Sequence, residues 1–262
     1  MLPQQLHSIC FPNESAPPLI ILHGLLGSSK NWTTIGRHLQ SHYDVYLLDL
    51  RNHGGSFHAS SMRWSELVAD VLRYIDDKGL AKISLIGHSL GGKLAMKFAC
   101  EQVKRVQHLV VVDIAAKDYS PHFDEIFRAM KNLNLSGLRQ RKEADIILQE
   151  WIPNWAMRQF VLTNLVRTKA GFEWQVNLEV LHASLPVIRK NSLLQVQHYT
   201  GPSLLIRGEH SDFVEESDLK RMRLHFPKLQ CETIEKASHN VHVENRSAFL
   251  KTLIKCLRFA SD

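Results

Sequence analysis

Ile83-Ser84-Leu85-Ile86-Gly87-His88-Ser89-Leu90-Gly91-Gly92-Lys93-Leu94-Ala95-Met96 is the stretch on which the fold turns: an apolar run passes through G-x-S-x-G into a helical pattern. A serine on such a sharp strand-to-helix turn sits in strained backbone geometry, with its hydroxyl at the helix N-terminus. Small residues at Gly87 and Gly91 let neighbouring elements pass close to it. Gly87, Gly92 and Lys93 also satisfy the first part of the phosphate-binding pattern G-x-x-x-x-G-K-[ST]. Position 94 is leucine, so the hydroxyl that would ligate magnesium is missing and a nucleotide phosphatase is disfavoured.

Outward from this stretch, short apolar runs recur at Leu19 to Leu22, Val45 to Leu48, Leu109 to Val112 and Leu204 to Ile206, with a further strand near Glu232-Thr233-Ile234-Glu235. Each reads as a buried strand. Between them lie helical patterns, clearest at Trp64, Leu67, Val68, Val71, Leu72 and Ile75, whose three-and-four spacing puts the apolar residues on one face. Strand-helix alternation predicts an α/β fold: a mostly parallel central sheet flanked by helices. From 115 to 191 the pattern becomes helix-rich, with no strand-like run before Leu204. A core over 1–114 and 192–262 is therefore expected, with a helical cap inserted over 115–191, and Ala248 to Leu257 is expected to close the core as a helix.

Acyl transfer to Ser89 would need a base, an acid to orient it and donors for the developing oxyanion. Among fifteen histidines, His239 follows the last expected strand, where a loop can return an imidazole to Ser89; His242 is the rival. Two aspartates stand at strand ends. Asp212 follows the penultimate strand and is favoured as the acid, with Asp113, at the end of Val110-Val111-Val112, kept as the alternative. The backbone N–H groups of Leu90 and of Leu25, in His23-Gly24-Leu25-Leu26-Gly27, are the expected oxyanion hole. His239-x-x-His242 lacks a third ligand pattern, so no metal site is expected.

Composition excludes several classes. With 44% hydrophobic and 22% charged residues, disorder is not expected. The net charge of +6 comes from cations interleaved with acids, as in Arg139-Gln140-Arg141-Lys142-Glu143, so nucleic-acid binding is not expected. Cys10, Cys100, Cys231 and Cys256 form no C-x-x-C pair and read as reduced thiols. The first residues lack a charged region followed by an apolar run, and no stretch approaches a membrane span, so a cytoplasmic protein is expected.

His23-Gly24-Leu25-Leu26-Gly27-Ser28, Asp49-Leu50-Arg51-Asn52-His53-Gly54, Gly87 to Lys93, Val112-Asp113-Ile114-Ala115 and Ser238-His239-Asn240-Val241-His242 together resemble the α/β-hydrolase superfamily, and within it the YbfF-like esterases. Gly55 after Gly54, and Ser238 before the histidine, depart from the usual motifs without removing a catalytic group. The resemblance implies the α/β-hydrolase fold, hydrolysis of carboxylic esters or acyl-CoA thioesters without metal or organic cofactor, and a small helical cap over the site. It also implies a triad acid at Asp113 in this group, against a position like Asp212 in broader hydrolases, and so leaves the acid open. Asp49, Arg51 and Gly54 read as a structural loop. Phe123, Phe127, Trp151, Trp155, Phe160, Phe172 and Trp174 either line an acyl pocket or pack the cap. A C–C bond hydrolase or lyase on the same fold, and a non-catalytic small-molecule receptor, are the alternatives.

Overall fold

Central strands buried on both faces carry continuous apolar runs, and that is why the runs above are strands. The structure, a computed structural model, describes residues 4–121 and 123–259. Its main sheet is built from β1 (Ser8–Phe11), β2 (Pro18–Leu22), β3 (Asp44–Leu48), β4 (Ile83–His88), β5 (Val106–Val112), β8 (Ser203–Gly208) and β9 (Leu229–Ile234), in the order β1-β3-β2-β4-β5-β8-β9. Every neighbouring pair is parallel except β1 with β3. The antiparallel β1 was not expected; Ser8-Ile9-Cys10-Phe11 is too short to signal a strand, and pairing with β3 supplies its structure.

Alternation of side chains assigns the two faces. Ile20 and Leu22 pack with Leu67, Val71, Leu94 and Phe98, from α2 (Trp64–Asp77) and α3 (Leu90–Glu101). Leu19 and Ile21 pack with Ile35 and Leu39 of α1 (Thr33–Leu39), and with Phe249 and Leu253 of α10 (Arg246–Phe259). The expected helix at 64–75 runs two residues further, to Asp77, and is followed after Lys78 by Gly79, whose φ of +66° suits a residue without a side chain.

Between β5 and β8 the chain leaves the sheet as α4 (Asp124–Asn132), α5 (Arg141–Leu148), α6 (Trp155–Leu162), the strands β6 (Leu165–Thr168) and β7 (Gly171–Trp174), and α7 (Leu178–Ile188). The β6–β7 hairpin corrects the expectation of a strand-free stretch. Its strands are four residues each, too short for alternation to emerge from the surrounding helical pattern. After β8 come α8 (Glu216–His225), then β9, α9 (Val241–Glu244) and α10.

One side chain holds both stems of this excursion. The Lys93 ammonium, buried on α3, donates to the carbonyl oxygens of Lys117 (3.3 Å), Ile188 (3.1 Å), Arg189 (3.0 Å) and Lys190 (2.6 Å). Residue 117 begins the excursion, and 188–190 are the C-terminal carbonyls of α7, where a cation is favoured by the helix dipole. Burial pulls the Lys93 pKa down to about 8.

Backbone meets backbone closely at the turn between β4 and α3. A Cβ placed on Gly91 would stand 2.5 Å from the Leu22 carbonyl oxygen, and one on Gly87 would overlap the Gly91 carbonyl. Neither backbone can yield without moving a central strand. Gly87→Val is therefore expected to lower unfolding free energy by about 3 kcal/mol, measured by urea denaturation; an unchanged midpoint would show that α3 is not packed this closely.

Candidate active site

The loops after β2, β3, β4, β5, β8 and β9 all leave the carboxyl edge of the sheet, where ligands bind in open α/β structures. Ser89 occupies the turn after β4 with φ 52° and ψ −115°, a conformation that costs energy for a residue with a Cβ. Backbone hydrogen bonds hold it there. The Ser89 N–H donates to Val112 O (3.1 Å), the Gly91 N–H to His23 O (3.1 Å), and the Lys93 N–H to Ser89 O (3.0 Å). The side chain is half-buried and lines a cavity whose wall also includes His239.

His239 stands on the loop after β9. Its Nδ1 lies 2.8 Å from Asp113 Oδ2. An ionised carboxylate only accepts, so Nδ1 carries the proton and the lone pair of a neutral ring is on Nε2. Asp113, fully buried at the end of β5 with φ 50°, also accepts from the Gly208 N–H (2.9 Å) and the Ser211 hydroxyl. The imidazole stacks on Phe213, with ring centroids 3.7 Å apart and planes 18° apart. Glu244 fixes the loop from behind by accepting from the N–H groups of Ser238 (2.6 Å) and Asn240 (3.2 Å).

Asp212, favoured on sequence position, is exposed on the loop after β8. It does not meet His239. The residues on either side of it turn inward, Ser211 to the Asp113 carboxylate and Phe213 to the imidazole face, and the bend between them leaves Asp212 in solvent. His242, the rival base, is buried face to face with Trp32 at 4.0 Å; burial pushes its pKa down to about 3. Its Nδ1 has no partner among the described residues.

Leu90 N–H opens α3, where the first helical N–H groups have no intrahelical acceptor. Leu25 lies in a turn closed by the Gly27 N–H on Gly24 O (3.0 Å). Two histidines brace that turn. His53 Nε2 accepts from the Leu26 N–H (3.2 Å) while its Nδ1 donates to Arg51 O (3.0 Å). His23 Nε2 accepts from the Leu50 N–H (3.0 Å) while its Nδ1 donates to Gly24 O (2.7 Å). Each ring is thus locked as one neutral tautomer, and burial lowers both pKa values, that of His53 to about 3. Neither role was read from the sequence, although the neighbouring His23-Gly24 and Arg51-Asn52-His53-Gly54 motifs had marked the segments.

The rest of the second motif is scaffolding. Asp49 accepts from the N–H groups of Ser29 (2.5 Å) and Gly55 (2.8 Å), and Arg51 forms a two-pronged pair with Asp70 (2.6 and 2.9 Å) that ties the loop to α2. Gly54 has φ 53°, and a Cβ there would overlap the Asp49 carboxyl. His88, also not singled out before, donates from Nε2 to the carbonyl oxygen of His239 (3.0 Å). Burial holds its pKa well below the usual histidine value. Of the aromatic residues between β5 and β8, Phe123 and Phe160 line the cavity, Phe127 is buried in the core, and Trp174 donates to Met130 O (3.1 Å). Trp151 and Trp155 are exposed.

Comparison with known proteins gives the family and the fold. The family model of the alpha/beta hydrolase fold matches residues 17–246. A Xenopus tropicalis protein named sn-1-specific diacylglycerol lipase is 35% identical over 245 residues, 90% of this chain and 76% of its own length. Esterase YbfF of Escherichia coli K12 is 30% identical over 241 residues, 92% of each chain. The solved structure of a marine microorganism esterase superposes with a TM-score of 0.93 at 32% identity, covering 96% of this chain and 99% of that one.

Buried neutral histidines make stability depend on pH. His53 is held neutral to about pH 3 when folded but takes a proton near 6.5 when unfolded, so its contribution is complete above pH 6.5 and is lost as pH falls toward 3. His53→Gln should therefore flatten the acid side of the stability profile by about 1.4 kcal/mol per pH unit. Urea unfolding between pH 7 and 4.5 reads this directly, and parallel profiles for the two proteins would contradict it.

Proposed function

The chain belongs to the α/β-hydrolase family and is a carboxylesterase-type hydrolase; from that premise we propose that it works through a covalent acyl-enzyme on Ser89. His239 is the general base, Asp113 orients it, and the backbone N–H groups of Leu25 and Leu90 form the oxyanion hole. The observation that carries the reading is the 2.8 Å bond from His239 Nδ1 to the buried Asp113, since it leaves Nε2 as the ring's basic atom in the cavity that Ser89 also lines.

Ser89 Oγ attacks the acyl carbon as its proton passes to His239 Nε2. The imidazolium formed is stabilised by the Asp113 carboxylate, and the carbonyl oxygen, now negative, accepts from the two N–H groups, worth about 3 kcal/mol per donor. Collapse breaks the acyl–oxygen bond, or the acyl–sulfur bond of a thioester, and His239 Nε2–H protonates the leaving alcohol or thiol. Water, deprotonated by His239, then repeats the attack on the acyl-enzyme and releases the acid, returning the proton to Ser89. The neutral state of His23, His53, His88 and His242 supports the same reading, because no second imidazolium then competes with that of His239. We further propose that the helices between β5 and β8 act as the cap, with Phe123 and Phe160 against the bound ester.

Ser89→Ala should abolish both fluorophosphonate labelling and p-nitrophenyl ester hydrolysis. Asp113→Asn should lower kcat by about 10⁴-fold, as when an orienting acid is lost and the wrong tautomer results, whereas Asp212→Asn should leave kcat unchanged. The reverse order of the two aspartate variants would transfer the role to Asp212, and full activity of Ser89→Ala would end the acyl-enzyme mechanism.

A further inference from the structure

Of the large apolar side chains exposed among the described residues, four fall close together in the chain. Among the described residues, Ile146 (62% exposed), Ile147 (48%), Trp151 (54%) and Trp155 (66%) fall within ten consecutive positions, and these are the two exposed indoles. They occupy the end of α5, the turn after it and the first position of α6. Both helices already bury an inward face, Ala144 and Leu148 from α5 and Val161 and Leu162 from α6, so the outward residues have no core to join. A contiguous apolar patch of this kind marks a contact surface, and indole is the side chain enriched at the boundary between hydrocarbon and water.

Charge selects the occupant. Arg139, Arg141 and Lys142 are exposed at the other end of α5, whose eight residues span about 12 Å in all. Arg167 donates to Arg139 O (3.2 Å), which brings the exposed Arg167 and Lys169 of the hairpin to the same end. Against these five cations stand three carboxylates, Glu143, Glu150 and Glu173, which leaves the end positive, while Asp145 is paired with Arg158. Arg141 and Lys142 sit in the first turn of α5, where the helix dipole disfavours cations and an external anion relieves them. A second copy docking by the same patch would bring like charges together.

We propose that residues 146–155 dock this protein onto an anionic lipid surface, with the indoles at the headgroup boundary and the basic end of α5 on the headgroups. The position of the patch gives the docking a use. Trp155 lies between Asn154 and Ala156, which, with Met157, line the cavity containing Ser89 and His239. An acyl ester leaving the bilayer at Trp155 enters that cavity without crossing bulk water; this consequence rests on the esterase mechanism above, whereas the docking itself does not.

The test uses the full chain carrying Ser89→Ala, so that lipid is not consumed, in flotation with phosphatidylcholine vesicles with and without phosphatidylglycerol. Binding is expected on the anionic vesicles, weakened by salt, with a blue shift of tryptophan fluorescence. Trp151→Ser with Trp155→Ser should weaken it by about tenfold or more, with the thermal midpoint preserved. Absence of binding, equal binding to both vesicles, or binding indifferent to the double substitution would overturn the proposal. So would a concentration-dependent dimer that the same substitutions dissociate, which would assign the patch to a second copy. Hydrolysis of a soluble ester by the Ser89 protein, measured separately, reports on the mechanism alone.

Discussion

The packing of the α3 N-terminus against the ends of β2 and β4 is the constraint on which the remaining geometry depends. Gly87 and Gly91 allow backbone to meet backbone there, and the Gly91 N–H reaches the His23 carbonyl. That bond joins the turn holding Ser89 to the turn holding Leu25, so the hydroxyl and both expected oxyanion donors share one rigid body. The φ of 52° at Ser89 is the local cost of the arrangement, and the hydrogen bonds on either side of it keep the residue from relaxing.

Electrostatics around this body are unusually quiet for a site so rich in histidine. His23, His53, His88 and His242 are all buried, and burial disfavours their cationic forms. Each of the first three uses its neutral ring to brace backbone: the turn holding Leu25, the loop after β3, or the carbonyl of His239 itself. His239 differs in having a buried carboxylate hydrogen-bonded to Nδ1. Positive charge formed there meets a hydrogen-bonded carboxylate, whereas burial is the dominant influence against it on the other four rings.

The excursion between β5 and β8 is coupled to the same body through Lys93. Its ammonium gathers carbonyls from both stems, so the helices that line the cavity are referenced to the helix that carries Ser89. This explains a lysine after the elbow without a phosphate. The strand-like hairpin within the excursion carries neither Ser89 nor His239, but its arginine joins the basic end of α5.

Local signals were legible before folding was considered. Apolar runs mark β2, β4, β5 and β8 because strands buried on both faces need them, three-and-four spacing marks α2, and the glycines around Ser89 mark a turn no larger residues fit. Contacts between distant segments were not legible. Whether Asp113 or Asp212 meets His239 depends on how Gly208, Ser211 and Phe213 fold back on the end of β5, and the edge strand β1 and the β6–β7 hairpin exist only through pairing partners. A sequence pattern reports what a residue needs from its near neighbours along the chain, and a carboxylate at a strand end has the same pattern whichever imidazole, hydroxyl or solvent it finally faces.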